Sequence, residues 1–286
     1  MSKIVEIKNL SVSYVPGTPL QRDALRDVSF VVEKGEFRAI IGPQGSGKST
    51  LLQVMAGLLQ GEGRVTICGQ DMSNKKNRAG LWRRVGVIFQ YPERQLFEDT
   101  VFNDVAYGPI NLGLSEAEVQ RRVKTALQEV NLGEEVYHLS PFKLSGGQRR
   151  RAAVAGILAM EPEVLLLDEP TAGLDPRGKR QLMDLFSNLC RKQQVPVVLV
   201  SHDMEEVAHR ADLVTVLYRG KIAMEGTPKE IFSRGKELAS LGLSTPFASQ
   251  LSMALQEKGL PVQNMTTLPE AAREVERLLR LKGKVQ

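Results

Sequence analysis

Features that mark several common protein classes are scarce in this chain of 286 residues. Its two cysteines, Cys68 and Cys190, are far apart and fit no metal-binding or redox spacing, so we predict a reducing cytosol and two structural thiols. Aromatic residues make up only 5% of the chain, and the net charge is a modest +5. That excess fits a protein beside an anionic membrane or a nucleic acid, and equally an ordinary cytosolic protein.

Long hydrophobic runs are also missing. The longest apolar stretches, near Val164–Leu167 and Val197–Val200, have the length of strands. None approaches the roughly 18 residues that a membrane-spanning helix needs. Met1–Leu10 is charged and strand-like, which is unlike a secretion signal. Hydrophobic residues nevertheless reach 42%, so we predict a soluble globular protein with a sizeable core.

A glycine-rich segment, GPQGSGKST at Gly42–Thr50, lies between the apolar strand FRAIIG and a helical pattern at Lys48–Leu59. This order of strand, glycine loop and helix is typical of a phosphate loop, in which backbone N–H groups surround the β-phosphate. Lys48 then reaches the β- and γ-phosphate oxygens, and the Ser49 hydroxyl ligates Mg²⁺. The residues predicted to contact ATP here are Gly42, Gln44, Gly45, Ser46, Gly47, Lys48, Ser49 and Thr50.

Two carboxylates end the apolar strand VLLLDE, at Asp168 and Glu169. Open α/β sheets bind ligands at the carboxyl ends of their strands. Asp168 therefore suits the shell of Mg²⁺, and Glu169 suits a base that orients or activates water. The alternative is an acidic pair that caps a helix just before Pro170. His202 follows the strand VPVVLVSH, and it is either a capping or core group or, if its strand lies beside the Asp168 strand, a contact of the γ-phosphate.

Two further residues each have a structural and a functional interpretation. Gln90 ends the strand VIFQ, where a glutamine is normally a loop residue. Tyr14 precedes the Pro16–Pro19 loop and is either an edge-strand aromatic or a platform on which adenine stacks. The sequence around each residue is compatible with both interpretations.

A second glycine turn occurs in KLSGGQRRRAAVAGILAM, which runs from Lys143 to Met160. Gly146 and Gly147 stand where an alanine-rich helix should begin, and free N–H groups at a helix N-terminus attract anions. The chain thus contains two phosphate-binding turns about a hundred positions apart. We predict that the arginine run Arg149–Arg151 is solvated or lies beside phosphate.

The order of these patterns predicts an α/β fold with a mostly parallel sheet covered on both faces. The segment from Tyr91 to about Lys143 is interpreted as a helical insertion, with a predicted capping box at Ser115 and Glu118. After about Phe232 the pattern shifts to a small helical appendage. Its predicted apolar stripe consists of Leu268, Ala271, Ala272, Val275, Leu278 and Leu279.

Seven motifs stand in the order found in the nucleotide-binding subunits of ABC transporters, and the chain resembles that family from about Ile4 to Gly226. The motifs are Tyr14, Gly42–Thr50, Gln90, LSGGQ at Leu144–Gln148, LLLDE at Leu165–Glu169, GLD at Gly173–Asp175, and His202. The resemblance implies a P-loop NTPase core with an antiparallel β subdomain. It also implies a nucleotide-binding domain at residues 1–232, a helical subdomain at about 91–160, and an appendage at 233–286.

In this family two subunits pack head to tail, with ATP between the phosphate loop of one and the SGG turn of the other. The resemblance implies that Glu169 is the catalytic carboxylate, that His202 holds the γ-phosphate, and that Gln90 senses Mg²⁺ and the membrane subunit. The residues implied to contact the partner's nucleotide or to lie at the junction are Ser145, Gly146, Gly147, Gln148 and Asp175. The implied Mg²⁺ residues are Ser49, Gln90 and Asp168.

Three segments, Phe89–Ser115, Ser140–Gly178 and Ser201–Ala208, look like the ATPase subunits of energy-coupling factor importers, most of all the second of two paired ATPases. These importers take up vitamins or cobalt and nickel ions. The resemblance implies a second ATPase subunit (different or identical), a membrane coupling subunit that inserts helices near QYPERQLF, and a separate membrane protein that captures substrate. It also implies a peripheral location at the cytoplasmic face of the cell membrane and no nucleic-acid partner.

Two other functions remain to be weighed. A non-transport ABC ATPase acting on DNA carries a long coiled coil between its two phosphate-binding motifs, and one acting on ribosomes usually carries two ATPase domains. Neither feature is present in this sequence. A regulatory subunit that binds but does not hydrolyse ATP usually lacks the carboxylate or the histidine, whereas Glu169 and His202 are both present.

Overall fold

The computed structural model describes residues 2–282, and side chains for residues 2–280. The strands are β1 Lys3–Tyr14, β2 Arg22–Glu33, β3 Phe37–Ile41, β4 Glu62–Ile67, β5 Gln70–Asp71, β6 Val85–Ile88, β7 Val164–Asp168, β8 Val197–Val200, β9 Leu213–Tyr218 and β10 Lys221–Gly226. The helices are α1 Lys48–Met55, α2 Lys75–Gly80, α3 Val101–Asn111, α4 Glu116–Glu129, α5 Gly146–Leu158, α6 Pro176–Gln193, α7 Met204–Arg210, α8 Pro228–Phe232, α9 Gly235–Ser240, α10 Phe247–Glu257 and α11 Leu268–Lys282. Within residues 2–282, no helix combines the length and the apolar character needed to cross a membrane.

The larger sheet has six strands in the order β10-β9-β3-β8-β7-β6. Strands β9, β3, β8, β7 and β6 run parallel, whereas β10 is antiparallel and forms a hairpin with β9. Every residue of β3 and of β8 is buried, as expected for parallel strands that are covered on both faces. The predicted mostly parallel sheet is confirmed.

A second, antiparallel sheet has the order β2-β1-β4-β5. Its apolar face includes Ile7 and Phe30 and packs on α1 through Leu51 and Met55. The predicted antiparallel β subdomain is therefore confirmed. The helix after the glycine loop was expected to reach Leu59, but α1 ends at Met55 because Gly57 adopts a φ of 73°.

Helices α3 and α4 lie within the segment predicted as a helical insertion, and α5 follows and packs against them. The face of α4 that carries Val119 and Val123 is buried in the core that these helices share with β7 and α6. The predicted capping box is wrong in one half. The hydroxyl of Ser115 accepts the N–H of Glu118 at 3.4 Å, but the Glu118 carboxylate binds Arg121 and Arg122 instead of returning to the cap.

The C-terminal helices α10 and α11 pack around a small core of Ala248, Met265 and Ala271. The rest of the predicted stripe on α11 is less covered, with Leu268 at 56% exposure and Leu279 at 64%. The appendage boundary after residue 232 stays a prediction. Met1 and residues 283–286 lie outside the described residues. Leu238 on α9 is buried with the β3 and β9 core, so α9 packs with the main sheet.

Candidate active site

The phosphate loop follows β3 directly and leads into α1. Gly47 has a φ of 105°, and a Cβ there would lie 2.6 Å from the carbonyl oxygen of Ala24. At Gly42 a Cβ would lie 2.6 Å from the Ser46 hydroxyl oxygen. Any side chain at these positions would collide with its neighbours, so the glycines allow the loop to wrap tightly against the β1–β2 hairpin.

The loop presents a cation beside a helix end that no side chain caps. Gly47 is the N-cap of α1 and makes no side-chain hydrogen bond. The Lys48 ammonium donates to the carbonyl oxygens of Gly42 at 2.7 Å and Pro43 at 2.9 Å. Burial lowers the pKa of Lys48, and the nearby carboxylates oppose that shift. Among the described residues, the buried Ser46 hydroxyl has no hydrogen-bond partner. These groups fit a bound phosphate.

The predicted carboxylates and histidine meet at the ends of β7 and β8. The two strands are parallel neighbours, with Asp168 paired to Val200, as the His202 hypothesis requires. Burial and the neighbouring Glu169 raise the pKa of Asp168, while Lys48 lowers it. Glu169 has a φ of 48°, which is uncommon for a residue other than glycine. Its carboxylate lies 3.1 Å from Nδ1 of His202, so the two predicted catalytic groups are in direct contact.

Gln90 and Tyr14 lie at the edges of this site. Gln90 is exposed just beyond β6, which pairs in parallel with β7 and so ends at the same edge of the sheet. Tyr14 lines a cavity of about 210 Å³ together with phosphate-loop residues. Its hydroxyl lies 3.2 Å from Oγ1 of Thr50 and donates to Gln53 at 3.3 Å. The contacts of Tyr14 place it beside the phosphate loop, and the strand pairing places Gln90 at the same sheet edge as Asp168, but neither observation assigns a role.

Oxygen groups at the strand ends are suitable for Mg²⁺. Among the described residues, no three His, Cys, Asp or Glu side chains converge to hold a metal. The candidate ligands are the Ser49 hydroxyl, the Asp168 carboxylate and the Gln90 amide, and Mg²⁺ prefers oxygen and keeps several waters. The residues present therefore fit a Mg²⁺ that takes its other ligands from water and phosphate.

The second glycine turn begins α5 and faces a different cavity. Ser145 is the N-cap, and its hydroxyl accepts the N–H of Gln148 at 3.3 Å. The Gln148 side chain accepts the N–H of Ser145 at 3.0 Å, which completes a capping box. Ser145, Gly146 and Gly147 line a cavity of about 670 Å³ together with Asp175, which caps α6 by accepting the N–H of Gly178. No phosphate-loop residue lines this cavity.

Arg150 is only 3% exposed, so the solvated alternative for the arginine run is wrong at this position, although Arg150 does line the cavity of the second glycine turn. Its guanidinium forms two hydrogen bonds of 2.9 Å to the Glu93 carboxylate and donates to the carbonyl oxygen of Ala172. It also lies 5.7 Å from the centre of the Tyr91 ring. Burial would raise the pKa of Glu93, but Arg150 holds it below its usual range. Arg150 thus joins α5 to the segments that follow β6 and β7.

A second missed contact lies beside His202. Asp203 is the N-cap of α7 and forms an ion pair with Lys179, on the first turns of α6. Burial would raise the pKa of Asp203, but Lys179 holds it below its usual range. The same helix begins at Asp175, in the cavity of the second glycine turn. Helix α6 therefore joins the turn after β8 to the cavity of the second glycine turn.

The chain is similar to known proteins over nearly its whole length. The ABC transporter family matches residues 25–172. The energy-coupling factor transporter ATP-binding protein EcfA2 of Symbiobacterium thermophilum is 52% identical over 93% of this chain and 93% of the relative. The protein of the same name from Caldanaerobacter subterraneus subsp. tengcongensis is 46% identical over 96% of this chain and 98% of the relative.

Solved structures show the same fold. The cbiO1 protein of Clostridium perfringens, described as part of the ABC transporter complex cbiONQ, superposes with a TM-score of 0.74 and 34% identity over 85% of this chain and 95% of that chain. The ATP-binding cassette MJ0796, in a dimeric post-hydrolysis state bound to ADP and Pi, superposes with a TM-score of 0.70. The two sequences are 30% identical, and the match covers 78% of this chain and 98% of that chain.

Proposed function

Since the chain belongs to the ABC transporter family, among the energy-coupling factor transporter ATP-binding proteins, we propose that it is the ATP-hydrolysing motor subunit of an importer for vitamins or transition-metal ions. The observation that carries the proposal is the meeting of Lys48, Asp168, Glu169 and His202 at one edge of the parallel sheet, while a second phosphate-binding turn faces another cavity.

The phosphate loop, Lys48 and Ser49 bind the phosphates of ATP, and Ser49, Asp168 and Gln90 hold Mg²⁺. Bound Mg²⁺ neutralises charge that develops on the phosphates. Glu169 orients the attacking water and accepts its proton, and His202 holds the γ-phosphate. Support comes from the 3.1 Å contact between the two side chains, which keeps the carboxylate and the imidazole side by side. Tyr14, which lines the cavity over the phosphate loop, stacks on adenine.

A second ATPase subunit completes each site. Ser145, Gly146, Gly147 and Gln148 of one subunit contact the γ-phosphate held by the other, and Asp175 lies at the junction. The separate cavity of the second glycine turn and the dimeric state of the MJ0796 cassette support this arrangement. ATP then forms part of the interface, so binding favours closure and hydrolysis favours opening. The partner is either a different ATPase chain or a second copy of this one.

A membrane coupling subunit docks on the helical insertion, at the cytoplasmic face of the cell membrane, and a separate membrane protein captures the substrate. Phe97, Tyr107 and Ile110 are 58%, 50% and 60% exposed, which is unusual for such residues. The rings of Phe97 and Tyr107 meet edge to face at 4.9 Å, so they form one apolar surface. That surface directly follows Gln90 and Glu93 in the chain, which supports transmission of movement to the ATP site.

The C-terminal appendage, residues 233–286, is proposed to help the two ATPases dimerise. The support is the exposed part of the apolar stripe on α11, where Leu268 and Leu279 are more than half exposed. An amphipathic helix whose apolar face is not covered by its own chain is a common contact between subunits.

Uptake in the native host tests the transport function. The gene is replaced by the Lys48→Ala or the Glu169→Gln form, and accumulation of radiolabelled vitamins, Co²⁺ and Ni²⁺ is measured. We expect both variants to lose accumulation of at least one cargo while the chain remains at its normal level in membranes. Unchanged accumulation of every cargo by both variants contradicts the proposal.

A further inference from the structure

The cavity over the phosphate loop contains a second cation, Arg22, besides Lys48. Arg22 is the first residue of β2, and it pairs across the hairpin with Tyr14, the last residue of β1. Its side chain lines the same cavity of about 210 Å³ as Gly45 and Ser49. The end of one hairpin thus brings an aromatic ring and a guanidinium to the same opening.

The guanidinium lies close to the loop itself. A Cβ built on Gly45 would be 3.3 Å from Nη2 of Arg22, so the guanidinium lies over the face of the loop at Gly45. Gly45 has a φ of 75°, and apart from Gly45 and its two chain neighbours no other described residue has an atom within 4 Å of that position. Arg22 therefore covers a part of the loop that is otherwise open.

Within the described residues, Arg22 has no ion-pair partner. The acidic residue beside it, Asp23, accepts hydrogen bonds from Ser13 and Gln21 and pairs with Arg26 at 3.5 Å. A guanidinium is a good partner for phosphate oxygens because it presents several N–H donors in a planar fork. An exposed cation that lines the cavity over a phosphate loop is in a position to use those donors on a ligand.

We propose that Arg22 is a nucleotide-binding residue that contacts the phosphates of ATP from the β1–β2 hairpin. This inference rests on the proposed function of the site as an ATP site. Tyr14 and Arg22 then act as a pair, one on the base and one on the phosphates. The contribution is larger for nucleotides with more phosphates and smaller at high salt, because it is electrostatic and solvent-exposed.

The experiment measures equilibrium binding of ATP, ADP and AMP to the full-length chain by calorimetry, at low and high salt. Arg22→Gln removes the charge, Arg22→Lys keeps it, and Arg26→Gln is the matched control because Arg26 lies on the same strand but lines another surface with Lys221 and Glu225. At low salt we expect Arg22→Gln to raise the Kd for ATP about 3–10-fold and that for AMP less than about 2-fold. Arg22→Lys recovers part of the loss, and Arg26→Gln changes neither Kd. Equal melting temperatures confirm that the variants are folded.

Two results overturn the proposal. One is an unchanged Kd for ATP in Arg22→Gln at low salt, and the other is an equal loss for ATP and AMP, which would place the contact on the base or ribose. Failure of the proposed function is a separate outcome, because there the unaltered chain itself does not bind ATP or Lys48→Ala binds it normally.

Discussion

Two helix N-termini in this chain resemble each other in sequence and differ in structure. The first, at Gly47, begins α1 without any side-chain cap, beside the Lys48 ammonium. The second, at Ser145, begins α5 with a complete capping box in which Ser145 and Gln148 satisfy each other's N–H groups. The first end leaves its amides and a cation for a ligand, whereas the second is stable on its own.

That difference predicts that the two helix ends contribute to different steps, ATP binding and hydrolysis. Under the proposed function, the uncapped end binds phosphate in a single subunit, because the loop, the lysine and the carboxylates all come from the same sheet edge. The capped end gains little from a phosphate until a second subunit presents one. The comparison therefore predicts that monomer binding of ATP depends on the first end only, and that hydrolysis depends on both.

The largest effect is expected at the sheet edge. Glu169→Gln should retain ATP binding and lower turnover by about 10²–10⁴, the usual range for a positioned general base. The measurement is phosphate release by the purified transporter complex, with ATP binding measured in parallel. Turnover near that of the unaltered complex would refute the role of Glu169.

The next effect concerns the buried ion pair between Arg150, on the helix that begins at the second glycine turn, and Glu93. Arg150→Met should lower the free energy of unfolding by about 3 kcal/mol, because it leaves the Glu93 carboxylate in a partly buried place without its partner. Arg121→Met is the matched control. Arg121 also pairs with carboxylates, those of Glu118 and Glu161, but it is 53% exposed, so its loss should cost far less than that of Arg150. Urea unfolding gives both values, and equal losses in the two variants contradict the assigned importance of burial.

Ser145→Arg separates binding from closure. We expect hydrolysis by the complex to fall at least about 10-fold, because a bulky cation replaces the cap and opposes the positive end of the helix dipole. ATP binding by the isolated chain should stay within about 2-fold of the unaltered value, since a 2-fold change is below 0.5 kcal/mol. If monomer binding falls as far as in Lys48→Ala, the two ends share one nucleotide and the comparison is wrong.

A smaller effect should depend on pH. The folded-state pKa of Glu93 lies below its usual range, so the stabilisation from its pair with Arg150 is complete above the unfolded pKa of about 4.3. It is lost as the pH falls through the lower folded value. The difference in unfolding free energy between the unaltered chain and Glu93→Gln should therefore shrink as the pH falls below about 4.3. A difference in unfolding free energy that stays constant as the pH falls contradicts the lowered pKa of Glu93.

The sequence allowed the sheet and the strand-end residues to be predicted because each depends on a local pattern. The strand–loop–helix order around Lys48 and the apolar strand before Asp168 needed no distant information. The adjacency of β7 and β8 followed from the usual order of a parallel sheet. The roles of Gln90 and Tyr14 remain predictions, because position at the site does not identify a contact with nucleotide.

The burial of Arg150 was not predicted, because a run of three arginines is typical of a solvated surface. A signal was nevertheless present, since Arg150, Val154 and Leu158 recur at intervals of four and all are buried on one face of α5. Its acidic partner, Glu93, is distant in sequence, so the pair could not be predicted from spacing. The half-formed cap at Ser115 failed for a related reason, because Arg121 and Arg122 compete for the same carboxylate.

The most direct test of the account uses a tagged Glu169→Gln form of this chain in its native host. Membranes are solubilised gently with ATP and Mg²⁺ present, the tagged chain is purified, and its companions are identified by mass spectrometry. The account predicts recovery of a second ATPase, or a second copy of this chain, together with a membrane coupling protein and a small substrate-capture protein. Recovery of ribosomes or DNA-repair factors, or of no membrane protein at all, would contradict it.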